Sequence, residues 1–553
     1  EFYLTDKLAG RPWISKIPFP VHVVERVETY DRISRNRFVT RHAYHHGYYD
    51  GIEREFRGFG MVEQWDTEEF AVLNESDEFP TGDNIDETSH VPPVLTKTWF
   101  HTGVYVGRDH MSDFFAGMIN GEDIGEYYRE PGLTDEEAKR LLLDDTVLPP
   151  GLTLEEERQA CRALKGAMLR QEVYALDGTE KEAHPYVVTE QNFTIRMLQP
   201  QSTNPQGVFF THAREALTYQ YERDPDDPRI GHALTLEVDD FGNVLKSAAI
   251  GYGRRQPDMA LSADDQAKQA QLLITYNENR FTNSPNGDDA YRTPLPCETR
   301  TYELTGLTPS TGQRRFTFDE LLSQAILAQE ISYETEPSGS LEKRLIEHVR
   351  TLYRPNDLGL SENDALALLP FGQMESLALP GESYKLAFTP GLVSQVYGGK
   401  VTDSLFDIEG RYMHSEGDSN WWISSGRAFF SPEPNADPAA ELEEAKSHFF
   451  VTRRVRDPFH RANFSTESIV EYDTYDLLVT RTEDALGNVS SARNDYRVLQ
   501  PSVMTDPNGN RSEVAIDTLG MVVGTAVIGK TEENKGDSLV GFNPALDEAT
   551  ILE

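Results

Sequence analysis

A short turn phrase recurs between runs of alternating residues, and it limits the fold more than any other feature of the chain. Asp240-Phe241-Gly242-Asn243-Val244 is one copy, and Asp484-Ala485-Leu486-Gly487-Asn488-Val489 is another. Asp506-Pro507-Asn508-Gly509-Asn510 and Asp517-Thr518-Leu519-Gly520-Met521-Val522 are looser versions. Gly and Asn accept positive φ at little steric cost, and Asp can hydrogen-bond the turn backbone. Leu234, Leu236 and Val238 alternate before the first copy, and Val244, Ala248, Ile250 and Tyr252 are patterned after it. Period-2 patterning on both sides of a Gly-Asn turn predicts a β-hairpin. The expected fold is mainly β, a long curved antiparallel sheet of β-hairpins with helical insertions.

Composition bears on partners. The chain has 553 residues, with 52 basic and 92 acidic side chains and a net charge of −40. Such a surface repels phosphate backbones and argues against nucleic acid as a partner. It leaves open an acidic wall that meets a basic polypeptide. No apolar run of 18 residues predicts a membrane-spanning helix. Two cysteines, Cys161 and Cys297, cannot build a disulfide framework, so two free thiols and synthesis in a cytoplasm before release are expected. The chain opens without Met or a leader, within Glu1-Phe2-Tyr3-Leu4, which reads as strand. A piece of a longer polypeptide is expected.

Along the chain, residues 1–130 read as β-hairpins, with a turn-rich His45-His46-Gly47 and a bulge or close sheet contact at Gly58 and Gly60. Residues 131–171 read as a helical insertion, since Thr134-x-x-Glu137 and Thr153-x-x-Glu156 match capping boxes. Residues 172–310 return to hairpins. Residues 311–370 read as a second helical insertion, with Leu321, Leu322, Ala325, Ile326 and Ala328 on one stripe and Leu345, Ile346, Val349 and Leu352 on another. Residues 371–553 read as hairpins, with a short helix over 439–448. Arg196-Met197-Leu198-Gln199-Pro200 resembles Arg497-Val498-Leu499-Gln500-Pro501, but the intervals between such phrases differ, so no strict repeat period is expected.

Few residues suggest chemistry. His42, His45 and His46 invite a metal, yet adjacent strand residues point to opposite faces. Any of the 92 acids could pair as in a glycosidase, so no pair is singled out. Glu416-Gly417-Asp418-Ser419-Asn420 lacks the ligand ladder of a calcium loop. Asp506-Pro507-Asn508-Gly509 reads as a turn before it reads as a self-cleaving junction. Trp421-Trp422 is the most distinctive aromatic pair, either a ligand platform or a packed sheet junction. No catalytic residue, metal or cofactor is assigned.

Longer phrases carry a resemblance. Gly47-Tyr48-Tyr49-Asp50-Gly51, Glu53-Arg54-Glu55-Phe56-Arg57-Gly58-Phe59-Gly60, Arg162-Ala163-Leu164-Lys165-Gly166, Leu377-Ala378-Leu379-Pro380-Gly381-Glu382-Ser383-Tyr384 and Asn420-Trp421-Trp422-Ile423-Ser424-Ser425-Gly426-Arg427 resemble the middle region of the B component of insecticidal toxin complexes (Tc toxins). The resemblance runs from about residue 7 to about residue 530. It implies a strand-built shell of the RHS or YD-repeat type, made with a C component whose toxic segment it holds unfolded. It also implies docking on a pore-forming A component through a propeller whose blade repeats are not evident here. Tyr30-Asp31, Tyr49-Asp50, Tyr472-Asp473 and Tyr475-Asp476 are consistent with that naming. The leading expectation is a non-enzymatic shell segment of an extracellular toxin. The alternatives are an adhesin-like or carbohydrate-binding module using Trp421 and Trp422, and a carboxylate-dependent hydrolase.

Overall fold

The computed structural model describes residues 1–545 apart from 12, 14–15, 31–35, 68–91, 109, 113, 118–124, 462 and 534, so Asp31 of the first Tyr-Asp dipeptide lies outside the described residues. The chain forms two units. The first comprises Glu1–Glu278, Thr301–Ile331 and Glu336–Leu345, and the second comprises Asn279–Arg300, Ser332–Thr335 and Ile346–Glu553. The expected mainly β character is observed, with large antiparallel sheets and a few helices.

In the first unit, antiparallel strands pair in chain order, from Arg26–Tyr30, Arg37–Asp50 and Glu55–Thr67 to Arg229–Val238, Val244–Tyr252 and Leu273–Phe281. Neighbours in sequence become neighbours in the sheet. Both predicted capping boxes form. Thr134 and Glu137 cap the helix Asp135–Leu141, and Thr153 and Glu156 cap Leu154–Arg162. A third, Thr317 with Glu320, opens Phe318–Leu327. That helix buries Phe318, Leu321 and Ala325 against Leu234, Ile250, Ile274 and Tyr276. Each large apolar side chain so buried contributes about 1.5–3 kcal/mol.

The bulge expected at the Gly58-Gly60 phrase is present. Gly47 pairs Phe59 while Tyr49 pairs Phe56, which leaves an extra residue on one strand, and Gly58 takes φ +94. A Cβ on Gly60 would stand 2.7 Å from the Phe115 ring.

Three local expectations are corrected. Glu1-Phe2-Tyr3-Leu4 does not lead a strand, because Phe2–Leu8 is a helix whose Asp6 is buried against His45. His45, His46 and Gly47 do not turn; they lie inside the strand Arg37–Asp50. The stripe through Leu345, Ile346, Val349 and Leu352 is not helical. It belongs to the strand Glu342–Tyr353, which buries His348, Arg350 and Leu352 at a period of two.

In the second unit, Glu342–Tyr353 pairs with Pro380–Phe388, which pairs with Trp421–Ser424, followed by Tyr412–Met413. A separate eight-stranded sheet runs from Arg427–Phe429 to Val522–Ile528 in chain order. The expected short helix spans Pro438–Ser447. The last six strands follow a strict period that the phrase comparison missed. Asp473, Asp484, Asp495, Asp506 and Asp517 recur every eleven residues, each at a reversal. A strand of six or so residues plus a five-residue turn sets that length.

Candidate functional site: an uncharged open sheet face

The turns are built alike. Asp484 Oδ1 accepts the N–H groups of Leu486 and Asn488, and its Oδ2 accepts Asn488 Nδ2 at 2.8 Å. Asp506 does the same with Asn508 and Asn510. Gly487 and Gly509 take φ +80 and +83, which an L-residue adopts at a cost of about 1–2 kcal/mol. In the first copy the clamp is one residue earlier than the phrase suggests. Asp239, not Asp240, accepts Phe241 N–H, Asn243 N–H and Asn243 Nδ2. Asp240 is exposed and pairs with Arg196 at 2.6 Å, while Gly242 supplies φ +88. Asn510 and the turn amides lower the Asp506 carboxyl, so it stays ionised and engaged in the turn.

These reversals expose two contrasting sheet faces. In the first unit one face is covered. Its row Arg170, Glu190, Leu217, His232, Ile250 and Ile274 runs across consecutive strands, and every member is buried. The other face carries the row Thr98, Gln171, Thr189, Thr218, Gly231 and Gly251. A second row is Gln191, Ala216, Ala233, Ala249 and Thr275. A third is Thr96, Val173, Val187 and Gln220. None of these fifteen residues is charged; the third row then ends on Arg229, which is ion-paired with Glu222. A Cβ on Gly231 or Gly251 would meet nothing within 4 Å, so this face is open.

The eight-stranded sheet of the second unit repeats the contrast. One face carries Glu471, Arg481, Glu483, Arg493, Arg511 and Glu513. The other carries Val470, Thr482 and Ser490 in one row and Ala492, Met504, Ser512 and Val527 in the next. Met504 is 54% and Val527 67% exposed, so this uncharged face is also open.

Much of the buried charge is paired. Beneath the first unit's cover, Arg170 donates to Glu172 and Glu190 at 2.7 Å each, and His232 contacts Glu215 at 3.0 Å. Burial raises the Glu190 carboxyl despite Arg170. His45 bridges Asp6 at 2.6 Å and Glu63 at 3.1 Å, whereas His46 contacts Glu126 at 2.6 Å. The two imidazoles thus serve different carboxylates, and no group of three metal-ligating side chains exists among the described residues. Trp421 and Trp422 are 7% and 0% exposed. Trp421 stacks on Phe406, and Trp422 donates to Asp418 at 3.0 Å under the Arg350 guanidinium. Both rings are packed into the sheet rather than displayed. Sequence reading missed the clusters around Glu298 and Arg454, because their members lie up to 120 residues apart and share no local motif.

One buried group gives the first unit a pH response. Burial lowers His101 to about 4, against the Met111 carbonyl, which favours the charged form, and with Arg57 reinforcing the drop. Its Nδ1 accepts the Gly103 N–H at 2.9 Å, so the folded ring is neutral. The unfolded ring titrates near 6.5. Between pH 6.5 and 4 the unfolded chain therefore binds a proton that the folded chain excludes, and stability falls as pH falls. The full contribution is about 3 kcal/mol. Urea midpoints at pH 7 and pH 5 will differ less for His101→Asn than for the parent chain.

Residues 3–103 match the family model described as the insecticide toxin TcdB middle/N-terminal region. Residues 159–294 match the insecticide toxin TcdB middle/C-terminal region. Compared with the curated proteins, the chain has no match. Among solved structures, TcdB2-TccC3 superposes with a TM-score of 0.64 at 24% identity, over 99% of this chain and 25% of that one. TcdB2-TccC3 without its hypervariable C-terminal region gives 0.60 at 24%, over 100% and 24%. The Photorhabdus luminescens Tc holotoxin pore gives 0.61 at 24%, also over 100% and 24%. At that identity the likeness speaks for the fold, and the chain spans about a quarter of those chains. Residues 3–103 and 159–294 thus match the middle/N-terminal and middle/C-terminal regions of the insecticide toxin TcdB in that order, on one continuous chain with the fold of the TcdB2-TccC3 structures.

Proposed function

We propose that this chain forms part of the wall of a non-enzymatic shell that, with a C component, encloses an unfolded toxin polypeptide for delivery through a pore-forming A component. The observation that carries this reading is the open face of Thr, Gln, Ala and Gly rows in a chain of net charge −40. Apart from Arg229, which Glu222 already pairs, the rows offer a cargo segment no charged partner. They also offer no broad apolar patch on which a cargo chain would condense. The pairing of TcdB2 with TccC3 in the solved relatives supports a C-component partner. Both thiols are buried and unpaired, so the fold does not depend on a disulfide.

Co-expression of the full B component with its C component tests this. The expected result is a stable large complex in which the toxic segment resists added protease while its amides exchange at unfolded rates. A complex whose toxic segment is cut as fast as the free polypeptide would contradict the proposal.

A further inference from the structure

His45 stands between two carboxylates carried by different elements of the first unit. Its Nδ1 meets Asp6 of the helix Phe2–Leu8 at 2.6 Å, and its Nε2 meets Glu63 of the strand Glu55–Thr67 at 3.1 Å. An ionised carboxylate only accepts, so both contacts are hydrogen bonds only when both ring nitrogens carry a proton. A neutral ring has one N–H and would turn a lone pair toward one of the two carboxylates. The geometry therefore fits the imidazolium. Asp6 is 2% and His45 7% exposed, so water does not relieve the mismatch.

The groups around the ring favour the same form. Trp13 Nε1 donates to Asp6 at 2.8 Å, and Arg11 pairs with the other Asp6 oxygen at 2.9 Å. On the strand Val94–Phe100, Lys97 lies 3.7 Å from Glu63. Glu126, held by His46 at 2.6 Å, is a third carboxylate whose charge reaches His45. Burial pushes the His45 ring down, but Glu63 and Asp6 outweigh it and hold the ring above its ordinary value. Burial likewise raises the Asp6 and Glu63 carboxyls. Bonds from Trp13 and His45 to Asp6, and from His45 to Glu63, outweigh it and keep both ionised.

We propose that His45 is a pH-sensitive latch, which ties the helix Phe2–Leu8 to the sheet while the ring is charged and loosens it when the ring loses its proton. The other anchors of this segment are ring contacts: Phe2 on Tyr44, Tyr3 on Trp13 and Trp13 on Phe59. They stay uncharged near neutral pH, so the helix loosens rather than leaves. A histidine raised on folding gives its full contribution below its unfolded value, near 6.5, and loses it as pH rises through the folded value. The latch thus weakens on the alkaline side, opposite in sense to His101.

Trypsin cleavage after Lys7 reads the latch, because the helix must open locally before it can be cut. Arg11 precedes Pro12 and is not a competing site. The initial rate of cleavage after Lys7 in the full chain is divided by that of a synthetic peptide of residues 1–13 at the same pH, which removes the protease's own pH profile. This ratio should rise several-fold from pH 6.5 to pH 9 in the parent chain. In Glu63→Gln it should stay low and level, because a neutral ring can donate to Asp6 through Nδ1 and accept the Gln amide through Nε2. In His45→Asn, which cannot titrate, it should be high and level. A ratio that stays level in the parent chain, or one that rises as steeply in either variant, would overturn the proposal.

Discussion

Replacing Arg454 with Met is expected to cost about 3–5 kcal/mol, because it strands buried carboxylates whose charge this guanidinium balances. Arg454 is 1% exposed. Its Nε donates to the Ser431 carbonyl at 2.7 Å, Nη2 to Glu441 at 3.1 Å, and Nη1 to Glu467. Glu441, also 1% exposed, fixes the chain by accepting the N–H groups of Phe430 and Ser431. One arginine thus ties the helix Pro438–Ser447 to the first strands of the eight-stranded sheet. Arg454→Lys should recover little, since a single ammonium cannot reproduce three directed bonds. Arg454→Met with Glu441→Gln should recover part of the loss by removing the orphaned charge. Hydrogen exchange in Arg427–Phe429 and Arg454–Arg456 is the measurement. Protection should collapse in the single variant and return in part in the double one.

Glu298→Ala is expected to cost a similar amount in the second unit, again about 3–5 kcal/mol. His348 Nε2 contacts the Glu298 carboxylate at 2.7 Å, and Arg350 Nε donates to it at 3.3 Å. Arg300 and Arg280 lie at 3.3 and 3.5 Å. Arg350 continues to Asp418 and stacks on Trp422, so the carboxylate organises the packing of that ring. Burial pushes the Glu298 carboxyl up, but His348, Arg300 and Arg350 outweigh it and hold it at about 2. A depressed carboxyl stabilises the fold above its unfolded value, near 4.3, and loses that contribution as pH falls toward 2. Acid titration of the parent chain should therefore show a loss in that window. Glu298→Gln, weaker at neutral pH, should not show it.

These clusters explain where sequence reading stopped. The turn chemistry was legible, because Asp, Gly and Asn act within five residues. Its register was not always legible: with Asp239 and Asp240 adjacent, only the closed loop shows which one clamps. The eleven-residue period was present in Asp473 through Asp517 but was hidden by comparing phrases hundreds of residues apart. The stripe at 345–352 misled because the strand buries His348 and Arg350 while Ile346 is 43% exposed. Hydrophobic spacing cannot register a buried face whose polar residues are satisfied by Glu298, some fifty residues away. His45 is buried in the same way, with Asp6 and Glu63 as its distant partners. The uncharged face is a property of register, so it emerges only once the strands are paired.

A thiol placed on that face tests the central claim most directly. Cys161 and Cys297 are buried, and burial raises the Cys161 thiol to about 12 and the Cys297 thiol in the same direction, so both are poorly reactive. Thr218→Cys in the middle of the open row should react with a bulky thiol reagent in the isolated chain. In the full B component assembled with its C component, it should become shielded and should cross-link through a short linker to the toxic segment. A Thr218→Cys that reacts as readily in the assembled complex as in the isolated chain, with no cross-link to the toxin, would contradict the account.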